Sequence, residues 1–324
     1  MSDLLNGDLV KDLDNLTVDA KASVRQAFGA GVLAAARRDK NIVVLGADLT
    51  ESVGLGEFRA QLPQRYIEVG IAEQNLVGVA SGLAHVGFKP FAASYAAFNP
   101  GRNYEQIRTI IALNDAPVVI VGSHAGLSVG EDGATHQMLE DVALMRALPN
   151  MAVFAPASVR EAFALAQYLA TFNHPSYVRL PRAAQPEIFS ENELFSFDSP
   201  AILRDGHDVA LVGYGTMTVQ NVLAAEMLTR YKIRAKVVHF GRLSVDNLAS
   251  LARVKAIVVA EEHQKNGGFG EEIATKLLER GWSGQFGRVA VDNKFGQSGT
   301  ADKLAKFYHV TADDIVRRVQ IMLK

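Results

Sequence analysis

Seven short apolar runs constrain the fold of this 324-residue chain more than any other feature. They are rich in valine and isoleucine and hardly alternate with polar residues, a pattern typical of parallel strands that are covered on both faces. Segments with helical spacing lie between them, so the sequence predicts an α/β architecture. The predicted strands are residues 41–45, 117–121, 152–155, 177–180, 208–212, 235–240 and 256–260.

The ends of two helices can also be placed. Residues 20–38 carry apolar side chains at helical spacing and end in Arg37 and Arg38, and cations suit the negative end of a helix dipole. Ser158 and Glu161 form the Ser-x-x-Glu pattern of a capping box, which predicts the start of a second helix.

A polar segment without periodicity divides the chain. Turn-forming residues are frequent between Pro181 and Pro200, so we place a linker at residues 186–199. A chain of this length has room for two domains. We predict an N-terminal extension at residues 1–17, a first domain at 18–185 and a second domain at 200–324.

Charge and composition exclude several classes of protein. The formal net charge of −2 argues against nucleic-acid-binding and membrane-surface proteins, which usually carry a basic field. The chain has no cysteine, so disulfides and thiolate-bound metals are excluded. Residues 1–15 lack the features of a signal peptide, and no apolar run reaches the roughly 18 residues needed to span a bilayer. We therefore expect a soluble, cytoplasmic protein.

Two glycines in the helix that follows Glu73 need an explanation. Gly78 and Gly82 stand four residues apart, and a glycine inside a helix costs about 1 kcal/mol relative to alanine. Small residues at this spacing allow another helix to approach closely. That helix could belong to the same domain, or it could belong to a second subunit that Glu73 would then face.

Two motifs carry a specific resemblance to a known family. Residues 69–84 read Val-Gly-Ile-Ala-Glu-Gln-Asn-Leu-Val-Gly-Val-Ala-Ser-Gly-Leu-Ala, and residues 130–137 read Gly-Glu-Asp-Gly-Ala-Thr-His-Gln. The first motif resembles the pyrimidine-binding domain of thiamine-diphosphate enzymes of the transketolase group, and the second resembles the substrate loop of transketolase. The similarity extends from about Asp19 to Arg182 and is weaker beyond. It implies a pyrimidine-binding domain with a mostly parallel sheet, followed by a Rossmann-like C-terminal domain.

Half of the expected active site is missing from the sequence. The chain has no Gly-Asp-Gly run followed about thirty residues later by an asparagine, which is how these enzymes usually anchor Mg²⁺ and the diphosphate. The resemblance therefore implies the C-terminal subunit of a split transketolase. A partner chain, the N-terminal subunit, would hold the Mg²⁺ and the diphosphate, the thiamine diphosphate would be shared, and this chain would supply no metal ligand. An α2β2 assembly is expected.

The resemblance assigns a cofactor role to five residues. Glu73 matches the glutamate that hydrogen-bonds the aminopyrimidine ring and favours its reactive tautomer, and we expect burial to oppose ionisation of its carboxyl group. The others are two aromatic residues that pack on the ring and two residues near the thiazolium, namely Tyr95, Phe98, Asp48 and Leu49.

Two of these assignments come with open questions. Asp48 could instead be the N-cap of the next helix. Transketolases often carry a third aromatic residue where this chain has Gly101 beside Arg102, so we expect the ring pocket to be more open on that side. Phe91 belongs to the same segment as Tyr95 and is assigned to the core.

The substrate side of the site is also implied residue by residue. His124 and His136 match histidines that contact the sugar and can move protons, and Asp132 matches the acid that binds a sugar hydroxyl. The expected substrates are sugar phosphates, whose phosphate arginine binds well. The matching phosphate set is Arg25, Ser52 and Arg182, with Arg179 as a rival to Arg182.

The second domain offers weaker signals. The runs Gly213-Tyr-Gly215 and Gly267-Gly-Phe-Gly270 contain only part of a dinucleotide-binding pattern, so we expect no nucleotide there. The Glu261-Glu262-His263 run resembles a loop of related subunits. We interpret it as a contact to a partner chain or a frame of the site.

Three other functions compete with a transketolase subunit. A 1-deoxyxylulose-5-phosphate synthase usually carries an acid where this chain has His124, so that residue favours transketolase. The beta subunit of a 2-oxo acid dehydrogenase shares the two-domain layout but has a different histidine neighbourhood. An inactive scaffold subunit would not be expected to keep Glu73, Asp132 and both histidines.

Overall fold

The chain forms two α/β units, each built around one sheet. This is seen in a computed structural model that describes residues 23–189 and 193–324. The N-terminal extension predicted at 1–17 and the first residues of the helix predicted at 20–38 lie outside that part. The division into domains at 186–199 stays a prediction.

The first sheet has six strands in the order β2-β1-β3-β4-β6-β5. All of its strand pairs are parallel, and β1 and β4 are buried along their whole length. The strands are β1 (Ile42–Gly46), β2 (Tyr66–Glu68), β3 (Lys89–Tyr95), β4 (Val119–Ser123), β5 (Ala152–Phe154) and β6 (Ser176–Arg179).

The second sheet has five strands in the order β11-β10-β8-β9-β7. Only the pairing of β7 with β9 is antiparallel, so the sheet is mixed but otherwise doubly wound. The strands are β7 (Ala201–Arg204), β8 (Val209–Gly213), β9 (Ala235–His239), β10 (Ala256–Gln264) and β11 (Gln285–Val291).

Helices cover the sheets and connect the strands. In the first unit α1 packs against α6, where Gly31 is needed because a Cβ there would come within 2.7 Å of the Ala166 Cβ. A π-helical stretch, Ile107–Ala112, continues α4, and Leu127–Asp132 is a kinked 3-10 segment. The helices are α1 (Val24–Arg38), α2 (Gly56–Gln61), α3 (Glu73–His85), α4 (Tyr104–Gln106), α5 (Asp141–Arg146), α6 (Val159–Thr171), α7 (Thr216–Thr229), α8 (Phe269–Glu279), α9 (Ala301–Phe307) and α10 (Ala312–Met322).

The predicted α/β architecture is confirmed, and each predicted strand corresponds to an observed one. Four observed strands were not predicted, because each lacks the sequence pattern of a buried strand. β2 has only three residues, β3 begins with Lys89-Pro90, β7 is largely half-buried or exposed, and β11 contains Gly287 and Arg288. None of the four is the long valine- and isoleucine-rich run that marks a buried strand.

The predicted capping box at the start of α6 is only half formed. The Ser158 hydroxyl accepts from the Glu161 amide as expected. The Glu161 carboxylate, however, accepts from the Ala157 amide at 2.6 Å and lies 2.8 Å from the His239 Nε2 of the second unit. A buried histidine across the domain contact has drawn the carboxylate away from the Ser158 amide.

The two units share an extensive contact along the end of β10. The Gln264 amide donates to the Leu139 carbonyl at 2.7 Å, and the Arg179 guanidinium donates to the Glu262 carbonyl at 2.8 Å. Arg179 is itself ion-paired with the fully buried Asp141 at 2.9 Å. The second unit therefore lies directly against the loops that follow β4 and β6.

The described parts of the chain contain no helix that is both long enough and apolar enough to cross a membrane.

Candidate active site

The predicted site residues gather at one edge of the first sheet. In a parallel sheet the carboxyl ends of all strands lie at the same edge, and ligands bind where the strand order reverses. Here the order reverses between β1 and β3. The residues that follow or end the strands at this edge are Asp48 after β1, Glu73 after β2, Tyr95 at the end of β3, His124 after β4 and Arg182 after β6.

The backbone is held in an unusual conformation at two of these positions. Asp48 has φ 60° and His124 has φ 56°, a left-handed region that residues with a side chain seldom adopt and that tends to occur at functional sites. Asp48 is not an N-cap, because α2 begins only at Gly56 and its N-cap residue is Leu55. The helix-capping alternative for Asp48 is therefore wrong.

Glu68, which sequence reasoning missed, fixes the loop around Asp48. One carboxylate oxygen of Glu68 accepts from the amides of Asp48 and Gly70, both at 2.8 Å. The loop after β1 is thereby tied to the loop that leads into α3. Leu49 is half-buried and packs against the apolar core beside this loop, and its cofactor role stays a prediction.

Glu73 is the first residue of α3 and is only 2% exposed. Its Oε2 lies 3.0 Å from Nη1 of Arg102, and its carbonyl accepts from the Asn103 amide group at 2.8 Å. Sequence reasoning missed this guanidinium, which pairs with the buried carboxylate. The Asn103 Oδ1, buried beside it, has no hydrogen-bond partner among the described residues.

Tyr95 and Phe98 form an aromatic wall next to Glu73. Their rings are stacked with centroids 6.0 Å apart, and the His136 ring lies edge-on to both. The Arg102 guanidinium covers Phe98 at 4.5 Å from the ring centroid. Arg102, the neighbour of Gly101, thus lies over the side of the wall where an opening is predicted, and its side chain is half exposed. Phe91 is fully buried in the core, as predicted.

His124 is buried against the wall. It is 3% exposed, its ring stacks on Tyr95 at 3.8 Å, and its Nδ1 lies 2.9 Å from the Ser123 hydroxyl. Burial lowers the pKa of His124 to about 3, with further lowering from the charges of Arg25, Arg182 and His136. The imidazole is therefore neutral near pH 7, where it can accept or donate a hydrogen bond.

Arg25 and Arg182 converge beside His124. An Nη1 of Arg25, from the first turn of α1, donates to the Arg182 carbonyl, and Arg182 donates to the Val129 carbonyl. Burial and the charge of Arg182 lower the pKa of Arg25. Two like charges held together in a half-buried place form a natural site for an anion.

The two remaining members of the predicted phosphate set differ in position. Arg179 is 3% exposed and committed to Asp141, so it does not reach the site and is no rival to Arg182. Ser52 is half-buried on the segment between β1 and α2. That segment touches α1 at Gly54, where a Cβ would come 2.5 Å from the Arg25 carbonyl.

The loop between β4 and α5 carries Asp132 and His136. Gly126, Gly130 and Gly133 have φ of 78°, 81° and 75°, conformations that glycine adopts without strain. Asp132 is exposed, and its neighbour Glu131 lies 3.7 Å from the Arg182 guanidinium. We call residues 126–136 the substrate loop from here on.

The glycines of the second unit serve an internal carboxylate. Glu261 accepts from the amides of Phe269 and Gly270 at the start of α8, at 2.8 and 3.1 Å. A Cβ at Gly268 would come within 2.6 Å of this carboxylate. Burial raises the pKa of Glu261 to about 7. The partial glycine pattern thus gives a carboxylate access to a helix N-terminus.

The side chains at the sheet edge suit one part of thiamine diphosphate. A buried carboxylate beside two stacked aromatic rings matches a flat aminopyrimidine, which offers ring nitrogens and a π-face. Within residues 23–189 and 193–324 no group of three or more histidine, aspartate or glutamate side chains is placed to hold a metal ion. Glu73, Tyr95 and Phe98 are the described residues that suit this ring.

Family models match most of the chain. A model of the transketolase pyrimidine-binding domain matches residues 20–187, and a model of the transketolase C-terminal domain matches residues 200–315.

Individual relatives agree with these models. The chain is 36% identical to a putative transketolase C-terminal section of Methanocaldococcus jannaschii, over 93% of this chain and 96% of the relative. It is 35% identical to the 6-deoxy-6-sulfo-D-fructose transketolase subunit SqwH of Clostridium sp. strain MSTE9, over 87% of this chain and 88% of the relative. It is 31% identical to the 1-deoxy-D-xylulose-5-phosphate synthase of Clostridium acetobutylicum, covering 92% of this chain but only 49% of that enzyme.

A solved structure shares both sequence and fold. It is described as a split gene transketolase, inactive beta4 tetramer, and it is 38% identical with a TM-score of 0.85. The match covers 93% of this chain and 98% of that one.

The neutral state of His124 can be tested directly. Because burial and the neighbouring cations hold its pKa at about 3, its NMR ring signals are expected to stay constant from about pH 5 to 9, where an ordinary histidine titrates near 6.5. The signal is assigned by its loss in His124→Asn. A titration step near pH 6.5 for that signal would contradict the buried cationic setting.

Proposed function

The chain belongs to the transketolase family, and from that premise we propose that it is the C-terminal subunit of a split transketolase. The proposed reaction transfers a two-carbon ketol unit from a ketose phosphate to an aldose. The observation that carries this proposal is the buried Glu73 carboxylate beside the Tyr95–Phe98 wall, at the sheet edge that also gathers Arg25, Arg182 and His124.

Transketolases depend on thiamine diphosphate, and Glu73, Tyr95 and Phe98 would hold its pyrimidine ring. When bound, this cofactor supplies a nucleophilic carbon and stabilises the carbanion that ketol transfer requires. The aromatic wall would orient the ring, and the Glu73 carboxyl group would exchange a proton with a ring nitrogen. Asp48 would lie beside the other end of the cofactor, with the Glu68 carboxylate fixing its backbone.

Arg102 is the side-chain partner of the Glu73 carboxylate in this structure. The Arg102 guanidinium donates to Oε2 of Glu73 at 3.0 Å, an oxygen that the proposed proton exchange with a ring nitrogen would use. The Arg102 side chain is half exposed, so it can move toward solvent without displacing the core, and a ring nitrogen would replace it as the partner of the buried Glu73 carboxyl group. Arg102 would therefore give way when the ring takes its place beside Glu73.

The substrate would lie between the aromatic wall and the substrate loop. Arg25 and Arg182 would bind the phosphate, with Ser52 nearby. Neutral His124, together with His136, would orient hydroxyl groups or move protons. Asp132 is exposed on the loop, where it is free to accept a hydrogen bond from a sugar hydroxyl.

A face of α3 is left for the partner subunit. A Cβ added at Gly78 or Gly82 would meet nothing within 4 Å, so these glycines serve no close contact with any of the residues that the structure describes. Ile71, Val86 and Leu113 nearby are between 72% and 77% exposed, an arrangement that favours burial by another subunit. We assign this face to the N-terminal subunit, which would bring the Mg²⁺ and the diphosphate.

Assembly and location follow from the same proposal. Two copies of each chain would form an α2β2 heterotetramer, because one chain alone supplies half of the site. The description of the related structure as an inactive beta4 tetramer fits a chain that self-associates but needs its partner for turnover. The absence of cysteine fits a reducing cytoplasm, where we place the enzyme in sugar phosphate metabolism.

A synthase of 1-deoxyxylulose-5-phosphate is the second candidate. It is favoured by the 31% identity to the Clostridium acetobutylicum enzyme. His124, buried and neutral in place of an acid, favours transketolase over this reaction.

Replacing Glu73 tests the proposed chemistry. In the complex reconstituted with the N-terminal subunit, Glu73→Ala is expected to lower ketol-transfer turnover by about 100-fold or more, because a positioned acid–base group contributes 10²–10⁴. Glu279→Ala, an exposed acid on α8, is the matched control and should stay within about twofold. Turnover of Glu73→Ala equal to that of the control would refute the assignment.

Replacing Arg25 tests the substrate class. We expect Arg25→Gln to raise KM about tenfold or more for a phosphorylated donor, through loss of a charge-assisted bond, and less than about threefold for the same sugar without phosphate. Arg253→Gln, at an exposed position of the second domain, should change neither. A sulfonated donor run in parallel identifies a sulfonate preference, and an equal loss on all donors would argue against a phosphate site.

Filling the glycine face tests the subunit interface. Gly82→Leu should preserve the isolated fold, since leucine favours a helix more than glycine does and the position is open. It should weaken association with the N-terminal subunit at least tenfold, measured by light scattering during size exclusion. Thr275→Leu, exposed on α8, serves as the control. Unchanged association of Gly82→Leu would place the interface elsewhere.

A further inference from the structure

The C-terminal domain reaches into the substrate loop through one buried carboxylate. We propose that Glu262 is a positioning residue, which fixes the first half of the substrate loop so that Asp132 and Arg182 can engage the sugar. This inference rests on the proposed function, and it gives the C-terminal domain a defined part in the substrate site of the first.

The contacts of Glu262 cross the boundary between the two units. It lies near the end of β10 and is 6% exposed. Its Oε1 accepts from the Ser128 amide at 2.9 Å, and the Leu127 amide also donates to the carboxylate. Its Oε2 accepts from the Thr216 hydroxyl at 2.7 Å. One carboxylate therefore joins the substrate loop to the N-terminus of α7.

The loop is shaped to receive this carboxylate. A Cβ at Gly126 would stand 2.7 to 2.9 Å from the three carboxyl atoms of Glu262, which is closer than such atoms approach without displacement. Gly126 also has φ 78°, so both the space and the backbone conformation require glycine there. Two successive loop amides can then point at the same acid.

The position of Glu262 is itself fixed from the first domain. Arg179 donates to the Glu262 carbonyl at 2.8 Å, and the Ala143 amide donates to the His263 ring at 3.3 Å. Burial raises the pKa of Glu262 above its ordinary value. The Arg179 charge and the hydrogen bonds from Thr216, Ser128 and Leu127 reduce this rise without cancelling it. A buried acid that is this well satisfied stabilises one loop geometry over others.

The contact leads directly to the proposed substrate ligands. The Ser128 hydroxyl accepts from the Arg182 amide at 3.3 Å, and the Arg182 side chain donates to the Val129 carbonyl. Residues 127–129 thus connect Glu262 to the arginine that would bind phosphate. Asp132 follows on the same 3-10 segment.

The second half of the loop has a separate anchor. The side-chain Nε2 of Gln137 donates to the carbonyl of Gln297 at 3.1 Å, and Gly133 lies so close to Ser298 that a Cβ would come within 2.7 Å of its hydroxyl. The His136 amide donates to the Gly133 carbonyl at 3.0 Å, so His136 is next to this second anchor. Loss of the Glu262 carboxylate should therefore affect substrate binding more than proton transfer.

Two variants distinguish the loss of the carboxylate's hydrogen bonds from a general disturbance of the fold. Glu262→Ala removes both acceptors, whereas Glu262→Gln can keep accepting from the loop amide with Oε1 and donate from Nε2 to the Thr216 hydroxyl. Glu226→Ala, an exposed acid paired with Arg204 in the same domain, is the control. Cofactor affinity is measured for each variant to show that the Glu73 side of the site is intact.

Hydrogen exchange of the full chain gives a readout without turnover. In Glu262→Ala the amides of Leu127 and Ser128 should exchange about tenfold faster or more, with unchanged exchange in β8 and α10, because one lost hydrogen bond of about 1.4 kcal/mol corresponds to tenfold. Unchanged exchange at both amides, or faster exchange throughout the second domain, would overturn the proposal.

Steady-state kinetics of the reconstituted complex complete the test. Glu262→Ala should raise the donor KM about tenfold with kcat within about threefold, and Glu262→Gln should stay within about threefold of the unmodified enzyme in both. A fall of kcat at constant KM, or a Glu262→Gln variant as impaired as Glu262→Ala, would contradict a positioning role. If the unmodified complex shows no ketol transfer, the proposed function fails while the exchange result stands by itself.

Discussion

The parallel sheet of the first unit is the constraint on which the rest of this molecule depends. Parallel strands place all their carboxyl ends at one edge, and the reversal of strand order between β1 and β3 opens a crevice there. Residues far apart in the chain, from Asp48 to Arg182, meet at that edge for this reason. Two of them, Asp48 and His124, sit in left-handed conformations that the surrounding packing must maintain.

The second unit packs against this edge of the first sheet. Its glycines bring Glu261 onto the start of α8, and the neighbouring acid, Glu262, turns the other way into the substrate loop. Glu261 thus binds a helix within its own domain, whereas Glu262 binds a loop of the other domain. The Glu261-Glu262-His263 run therefore contacts the loop between β4 and α5 from within the chain.

Much of the fold and of the site could be predicted from the sequence, but only where the signal is local. Buried strands appear as valine-rich runs, and Glu73 and His136 lie within motifs that resemble a known family. The roles of Arg102 and Glu68, and the loop contact of Glu262, could not be found in this way. Each acts through a partner 20 to 134 residues away in sequence, and only the folded chain brings those partners together. Glu161 shows the reverse case, because a local capping pattern lost its carboxylate to His239 in the other domain.

We propose that this chain binds the pyrimidine ring of thiamine diphosphate and that the N-terminal subunit binds its diphosphate. The most direct test is calorimetric titration of thiamine diphosphate with Mg²⁺ into this chain, into the N-terminal subunit and into their equimolar mixture. We expect one site per pair of chains in the mixture, at least about tenfold tighter than in the N-terminal subunit alone, and no saturable binding to this chain alone. Saturation of this chain by itself, with the affinity of the mixture, would contradict it.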